Sequence, residues 1–354
     1  MNKFNFSPGP ATLPTDVFQE AADALVDYKG TNLSVAEISH RAPLFTAIIE
    51  EATSLVKELY QLPENWEVLW LPGGASSQLA VAPMNLVNKT EKIGFVNTGF
   101  WAQRAMDAAA EIARIEILDS AANTHFDRIP KYFEVPSDIK YLHVVSNETI
   151  DGLQYAEYPD VNVPLVADLT SDFLTRPLPF EKFAVIFASA QKSFGIAGIT
   201  CVLVNRDYLR DDLSHVVPTI FNYKTHIKEQ SLYHTVPTYP VFVSLLMLRW
   251  IKKQGGLTAM QTIANLRAQL MYEEIDRNPN LYGITQKEDR SLMNACFKTS
   301  NPTMEASLLT YLEENGITGI KGFPTVGGFR ASIYNGMPME GVKYLVELLK
   351  NFTY

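Results

Sequence analysis

The 354-residue chain has only two cysteines, Cys201 and Cys296, and both sit in apolar runs. They read as reduced core thiols rather than a disulfide or a metal pair. Its six histidines show no HxxxH or HxH spacing, so no metal site is expected. Positive charge is in deficit: Lys and Arg total 30 against 39 Asp and Glu, a net charge of −9. That gives no electrostatic footprint for nucleic acid, which would need a basic face. The longest apolar stretch, 241–248, is too short to span a bilayer and is followed by Arg249. No charged region followed by an apolar core opens the chain, so no signal peptide is visible. These absences lead us to expect a cytoplasmic protein with no membrane or nucleic-acid partner. No GxGxxG or GxxxxGK[ST] occurs at a strand–helix junction, which ranks a nucleotide-binding protein low.

What is present is an ordinary globular balance, 47% hydrophobic and 19% charged, at a length sufficient for two domains. Residues 1–14, rich in proline and glycine, read as an extended arm. Helical periodicity begins near Asp16 and is clear over 43–61, where Phe45, Ile48, Ile49, Ala52, Leu55, Val56 and Leu59 share a face. Short apolar strands are expected at 67–71, 92–96, 114–118, 141–145, 163–167, 183–189 and 200–204. Helical patterns at 74–87 and 100–113 separate several of them. This alternation predicts an α/β fold with a mostly parallel sheet flanked by helices. The stretch 206–239 is polar, aromatic-rich and poor in periodicity, which for so long a loop points to function. A helix at 240–253 follows. Helices at 258–277, 305–315 and 340–351, with strands near 293–298 and 328–334, describe a smaller α+β domain. The expected division is a large domain over 15–245 and a small C-terminal domain over 246–354.

Chemistry concentrates where strands end. The run 183–189 empties into Ala190-Gln191-Lys192-Ser193, and the run 163–167, upstream of it, empties into Asp168. In such sheets ligands bind outside the carboxyl ends of the strands. A lysine and an acid there suit pyridoxal phosphate (PLP). The lysine holds the cofactor as a Schiff base, and the acid keeps the pyridine nitrogen protonated. Gly73-Gly74-Ala75-Ser76-Ser77 leaves a strand and opens a helix. It reads either as a phosphate cradle of backbone N–H groups or as a serine-capped turn. Trp101, at the start of the next helix, is either a core aromatic or a surface for a flat cofactor. Thr149, in Ser146-Asn-Glu-Thr-Ile-Asp-Gly152, either contacts a ring substituent or belongs to a turn. Arg330 alternates with Phe329 and Ala331 in a strand preceded by Gly327-Gly328, which favours close approach of an anionic ligand. Ser39-His40-Arg41 lies ahead of the helix at 43–61.

Together these motifs resemble the phosphoserine aminotransferases, fold-type-I PLP enzymes of the class-V aminotransferase group. The resemblance runs nearly end to end. It covers Asn5-Phe-Ser-Pro-Gly-Pro10, Ile38-Ser-His-Arg41, Gly73-Gly-Ala-Ser-Ser-Gln78, Thr98-Gly-Phe-Trp101 and Asn147-Glu-Thr-Ile-Asp-Gly152. It continues through Val166-Ala-Asp168, Ala190-Gln-Lys192, Thr235 to Thr238 and Gly327-Gly-Phe-Arg-Ala-Ser-Ile-Tyr-Asn335. It implies PLP as cofactor and Lys192 as the Schiff-base lysine, with Asp168 on the pyridine nitrogen and Trp101 stacked on the ring. Gly74, Ala75, Ser76 and Gln191 match phosphate-side positions, and Thr149 a ring contact. His234 and Thr235 match the pair that a second subunit offers to the cofactor phosphate. His40 and Arg41 match residues that cross a homodimer to the substrate's distal anion, and Arg330 the α-carboxylate arginine. The implied reaction is transamination of O-phospho-L-serine with 2-oxoglutarate, giving 3-phosphohydroxypyruvate and L-glutamate. Three positions depart from the family pattern. Phe323-Pro324 stands where a His-Arg pair is usual, His234 replaces the usual Asn, and Ser193 follows the lysine in place of Asn. The first departure keeps a related class-V transaminase with a non-phosphorylated amino donor as the alternative. Retention of Lys192 and Asp168 argues against a non-catalytic scaffold.

Overall fold

The computed structural model describes residues 3–353; the first two positions of the expected arm lie outside them. In chain order the arm carries β1 (Phe4–Asn5) and leads into α1 (Thr15–Val26) and α2 (Pro43–Tyr60). Then come β2 (Trp66–Leu71), α3 (Gly74–Leu86), β3 (Lys92–Asn97), α4 (Phe100–Ala110), β4 (Arg114–Ser120) and β5 (Ile139–Val145). A small hairpin, β6 (Asn147–Glu148) and β7 (Leu153–Gln154), precedes β8 (Leu165–Asp168), β9 (Phe183–Ser189) and β10 (Thr200–Asn205). The seven long strands form one sheet in the order β2-β10-β9-β8-β5-β3-β4. All its pairings are parallel except those of β10, which runs against both neighbours. The mostly parallel sheet expected from the alternation is present.

Side-chain periodicity explains why this sheet needs two covers. In β9, Ile186 and Ala188 enter one apolar core while Val185 and Phe187 enter another. In β10, Cys201 and Leu203 alternate in the same way with Val202 and Val204. Successive strand residues point to opposite faces, so a run apolar at every position must be buried on both. Residues of α1, α2 and α6 (Thr238–Lys253) close one face, and those of α3 and α4 the other. Both cysteines are buried free thiols. Among the described residues, no helix is long and apolar enough to cross a membrane.

The segment 206–239 is not structureless. It holds short 3₁₀ turns and α5 (Tyr223–Lys228), elements of three to six residues that are too short to print a period on the sequence. Tyr223 pins it to α3: its hydroxyl donates to Gln78 Oε1 at 2.6 Å, and its N–H donates to Asn85 Oδ1 at 2.9 Å.

The expected boundary at 245/246 falls inside α6, whose buried apolar residues all belong to the first core. The next helix, α7 (Gly256–Arg277), passes from that core at Leu257 and Met260 to a second one at Ala268, Met271 and Ile275. The second core is completed by β11 (Leu281–Gly283), β12 (Asn294–Thr299), α8 (Met304–Glu314), β13 (Ile317–Thr318), β14 (Phe329–Ser332) and α9 (Met339–Asn351). Strands β11, β12 and β14 form an antiparallel sheet. The arm is extended as expected: β1 pairs in parallel with β13, and farther on Ala11 N–H donates to the carbonyl of Gln191 at 2.9 Å.

Candidate active site

The carboxyl ends of β2, β8 and β9 open on one edge of the large sheet, and the expected residues gather there. Asp168 is the last residue of β8, and Lys192 follows β9 by three positions. Opposite them α3 begins at Gly73 and Gly74, with φ of 95° and 70°. A Cβ on Gly73 would lie 2.7 Å from Ser77 Oγ, so both conformation and space demand glycine. The first-turn N–H groups of α3 have no partner within the helix, and no side chain caps them. They face a cleft of about 130 Å3 lined by Gly74, Ala75, Ser76, Trp101, Asp168, Gln191 and Lys192, among others. Hollows of about 930 and 750 Å3 lie elsewhere and contain none of these residues.

Electrostatics inside the cleft follow from burial. Desolvation lowers the Lys192 ammonium to about 8; Asp168 opposes this by favouring the charged form, and Arg330 adds to it. An amine that ionises near neutrality is the poised nucleophile that carbonyl chemistry needs. Burial raises the Asp168 carboxyl, while hydrogen bonds from Thr170 pull it down; the Thr170 N–H donates to Oδ1 at 2.8 Å. Lys192 Nζ stands 5.3 Å from the ring centroid of Trp101.

Trp101 is a wall of the cleft, not a core residue. Its indole Nε1 donates to Thr149 Oγ1 at 3.0 Å, so the Thr149 hydroxyl supports the wall from behind. Arg330 is buried, and its Nη1 donates to the Thr149 carbonyl at 3.2 Å. Beside it burial pushes the Asp151 carboxyl up to about 6, against the pull of Arg330.

Six expected residues do not line the cleft in this chain: Thr149 and Arg330, which stand behind Trp101 and next to each other, and His40, Arg41, His234 and Thr235. Arg41 and Thr235 are exposed. His40 and His234 lie close enough for His40 to help lower the His234 imidazolium, with burial the larger cause. The rings of His234 and His226 meet edge-on with centroids 5.7 Å apart. Nε2 of His40 and both ring nitrogens of His234 are buried without a hydrogen-bond partner.

Sequence reading missed Asn147, Thr170, Ser171 and Ser189, which also line the cleft. Short polar residues after a strand look like turn formers, and only their position at this sheet edge marks them. Asn147 Nδ2 donates to Ser171 Oγ and to Asn294 Oδ1, both at 2.9 Å, which ties the cleft to the small sheet.

The arrangement fits pyridoxal phosphate. Unpartnered helix N–H groups and hydroxyls suit its phosphomonoester, a buried carboxylate its ring nitrogen, a flat indole its ring, and a low-pKa amine its aldehyde.

Comparisons with known proteins agree. The family model for aminotransferase class-V matches residues 3–345. A phosphoserine aminotransferase of Phocaeicola vulgatus is 42% identical over 99% of each chain. The structure of phosphoserine aminotransferase from Bacillus circulans subsp. alkalophilus superposes with a TM-score of 0.95 at 35% identity, over 99% of this chain and 98% of that one. The PLP-bound phosphoserine aminotransferase of Trichomonas vaginalis gives 0.94 at 33% identity, over 99% and 100%. With full-length matches at these identities, the chain belongs to the class-V aminotransferases, among the phosphoserine aminotransferases.

Proposed function

We propose that this chain catalyses the PLP-dependent transamination of O-phospho-L-serine with 2-oxoglutarate, yielding 3-phosphohydroxypyruvate and L-glutamate for serine biosynthesis in the cytoplasm. The observation that carries the reading is the Lys192 amine, which shares one cleft with Asp168 and stands 5.3 Å from the Trp101 ring centroid, its ammonium lowered to about 8 by burial, at the edge of a sheet shared with known phosphoserine aminotransferases. When bound, PLP supplies the electron sink that lets a proton leave the amino acid's Cα. The chain's residues do the rest. Gly74, Ala75, Ser76 and Gln191 bind the cofactor phosphate. Asp168 holds a proton at the ring nitrogen, and Trp101, backed by Thr149, fixes the ring plane. Lys192 Nζ, once free, would take the proton from Cα and, as general acid, deliver it to the cofactor's C4′ rather than back to Cα. Arg330 binds the α-carboxylate of either substrate.

The same reading makes the active unit a homodimer. His40, Arg41, His234 and Thr235 act on the partner's cleft, the first two on the distal anion and the others on the cofactor phosphate. Their separation from Lys192 and the unpartnered ring nitrogens of His40 and His234 support this. The two apolar cores support a division into a large PLP-binding domain and a small C-terminal one, with the crossover inside α7 rather than at 245/246.

The test is direct. Protein loaded with PLP should absorb well above the protein band and turn over phosphoserine with 2-oxoglutarate; Lys192→Ala should lose both. Turnover of a non-phosphorylated amino donor with none of phosphoserine would sink the substrate assignment and leave the transaminase chemistry standing.

A further inference from the structure

Helix α4 starts without a cap of its own. Its N-cap residue is Gly99, which has no side chain, and the first-turn N–H groups have no partner within the helix. The missing acceptor comes from another segment. Glu148, in the hairpin after β5, is fully buried, and its Oε2 accepts from Trp101 N–H at 3.1 Å. Its Oε1 accepts from Ala102 N–H at 2.8 Å, with the Thr98 hydroxyl at 3.5 Å. The approach is so close that a Cβ on Gly99 would sit 2.8 Å from the Glu148 carboxyl carbon. A carboxylate at a helix N-terminus also meets the positive end of the helix dipole. Burial nonetheless raises this carboxyl to about 8, so keeping it buried opposes ionisation, and the roles assigned above do not use it. What it touches is the backbone of Trp101, whose indole is held by the next residue, Thr149. Two consecutive residues thus hold one tryptophan, Glu148 by its backbone N–H and Thr149 by its indole.

We propose that Glu148 is a positioning residue for the cofactor: it fixes the Trp101 ring plane over Lys192 by capping α4 from outside the helix. The inference rests on the reading of Trp101 as the ring-stacking residue. Glu148 touches neither substrate nor cofactor and acts through Trp101 alone. Truncating it lets the first turn of α4 fray and the indole tilt, which weakens retention of PLP.

The experiment is a double-mutant cycle. Apoprotein of the unsubstituted chain, Glu148→Ala, Trp101→Ala and the double variant is titrated with PLP, and affinity is read from the visible absorbance. Glu148→Ala should weaken binding roughly tenfold, the size of one lost hydrogen bond at the upper end of the usual range. Adding it to Trp101→Ala should weaken binding no further than Trp101→Ala alone, within about twofold. If the two losses multiply, Glu148 acts independently of Trp101 and the proposal is overturned. If Trp101→Ala binds PLP as tightly as the unsubstituted protein, the stacking reading itself falls and takes the proposal with it. Glu148→Gln keeps one acceptor oxygen; the same cycle run with it serves if the alanine variant does not fold, and a smaller loss that again vanishes beside Trp101→Ala supports the assignment.

Discussion

Arg330 reaches from the small antiparallel sheet to the turn between β6 and β7 and donates through Nη1 to the backbone carbonyl of Thr149 at 3.2 Å. Thr149 also receives the indole N–H of Trp101. One residue therefore sets the arginine of the proposed carboxylate site in register with the aromatic wall of the cofactor site. Arg330→Lys should raise KM for both the amino acid and the oxo acid about tenfold to hundredfold, because a point charge replaces a planar fork worth about 1.5–3 kcal/mol. The visible absorbance of bound PLP should stay unchanged. Steady-state kinetics with each substrate varied in turn checks this.

Capture of PLP by the apoprotein should depend on pH with an inflection near the Lys192 value. Burial lowers that ammonium from 10.5 to about 8, so the neutral, nucleophilic amine becomes dominant above about pH 8. The observed rate constant should therefore rise with pH and level off there, well below the pH an ordinary lysine would need. Asp168 holds the value up, so Asp168→Asn should move the inflection to lower pH. Stopped-flow absorbance across a pH series measures both.

Phe323 packs against Phe100 with ring centroids 5.6 Å apart, and Phe100 meets Trp101 edge-on at 5.1 Å. This apolar contact occupies the position where the resemblance leads one to expect a cationic pair. Phe323→His combined with Pro324→Arg should raise kcat/KM for phosphoserine by about tenfold or more, the gain of one charge-assisted hydrogen bond. It should leave the value for glutamate within about threefold. An unchanged ratio of the two would show that the distal anion is held elsewhere.

Gly152 closes the turn that carries Glu148, Thr149 and Asp151. Its φ is 78°, and a Cβ there would lie 2.9 Å from the Asn294 carbonyl oxygen and 3.0 Å from Cys296 Sγ. Gly152→Ala should cost about 1–3 kcal/mol of stability from backbone strain alone. It should also weaken PLP binding, since the turn supports Trp101. Urea unfolding and a PLP titration separate the two effects.

The residues that were easiest to read are those whose chemistry depends on a strand end. Lys192 and Asp168 close apolar runs that have no other way to pack than inside a doubly covered sheet, so their shared edge followed from the alternation. Thr149 was readable as a residue of interest but not in its contacts, because its hydroxyl faces Trp101, which lies far away in the chain. Glu148 was hidden for the same reason: an acid in a turn gives no sign of which helix it will cap. The segment 206–239 reads as a loop because its helices, three to six residues long, make too few turns to show a period. The two-core passage of α7 left no mark either, since a helix that changes partners midway shows no break in its own pattern.

Strand β10 acts as a spacer. Its first residue, Thr200, stands in register with Leu71 at the end of β2 on one side and with Ser189 at the end of β9 on the other. Adjacent strands lie about 4.8 Å apart, so the exits toward Gly74 and toward Lys192 are held roughly 10 Å from each other. Because β10 alone runs backwards, it begins at that edge rather than ending there, and no third loop of the same kind crowds between the two exits. A single reversed strand thus sets the gauge of the site.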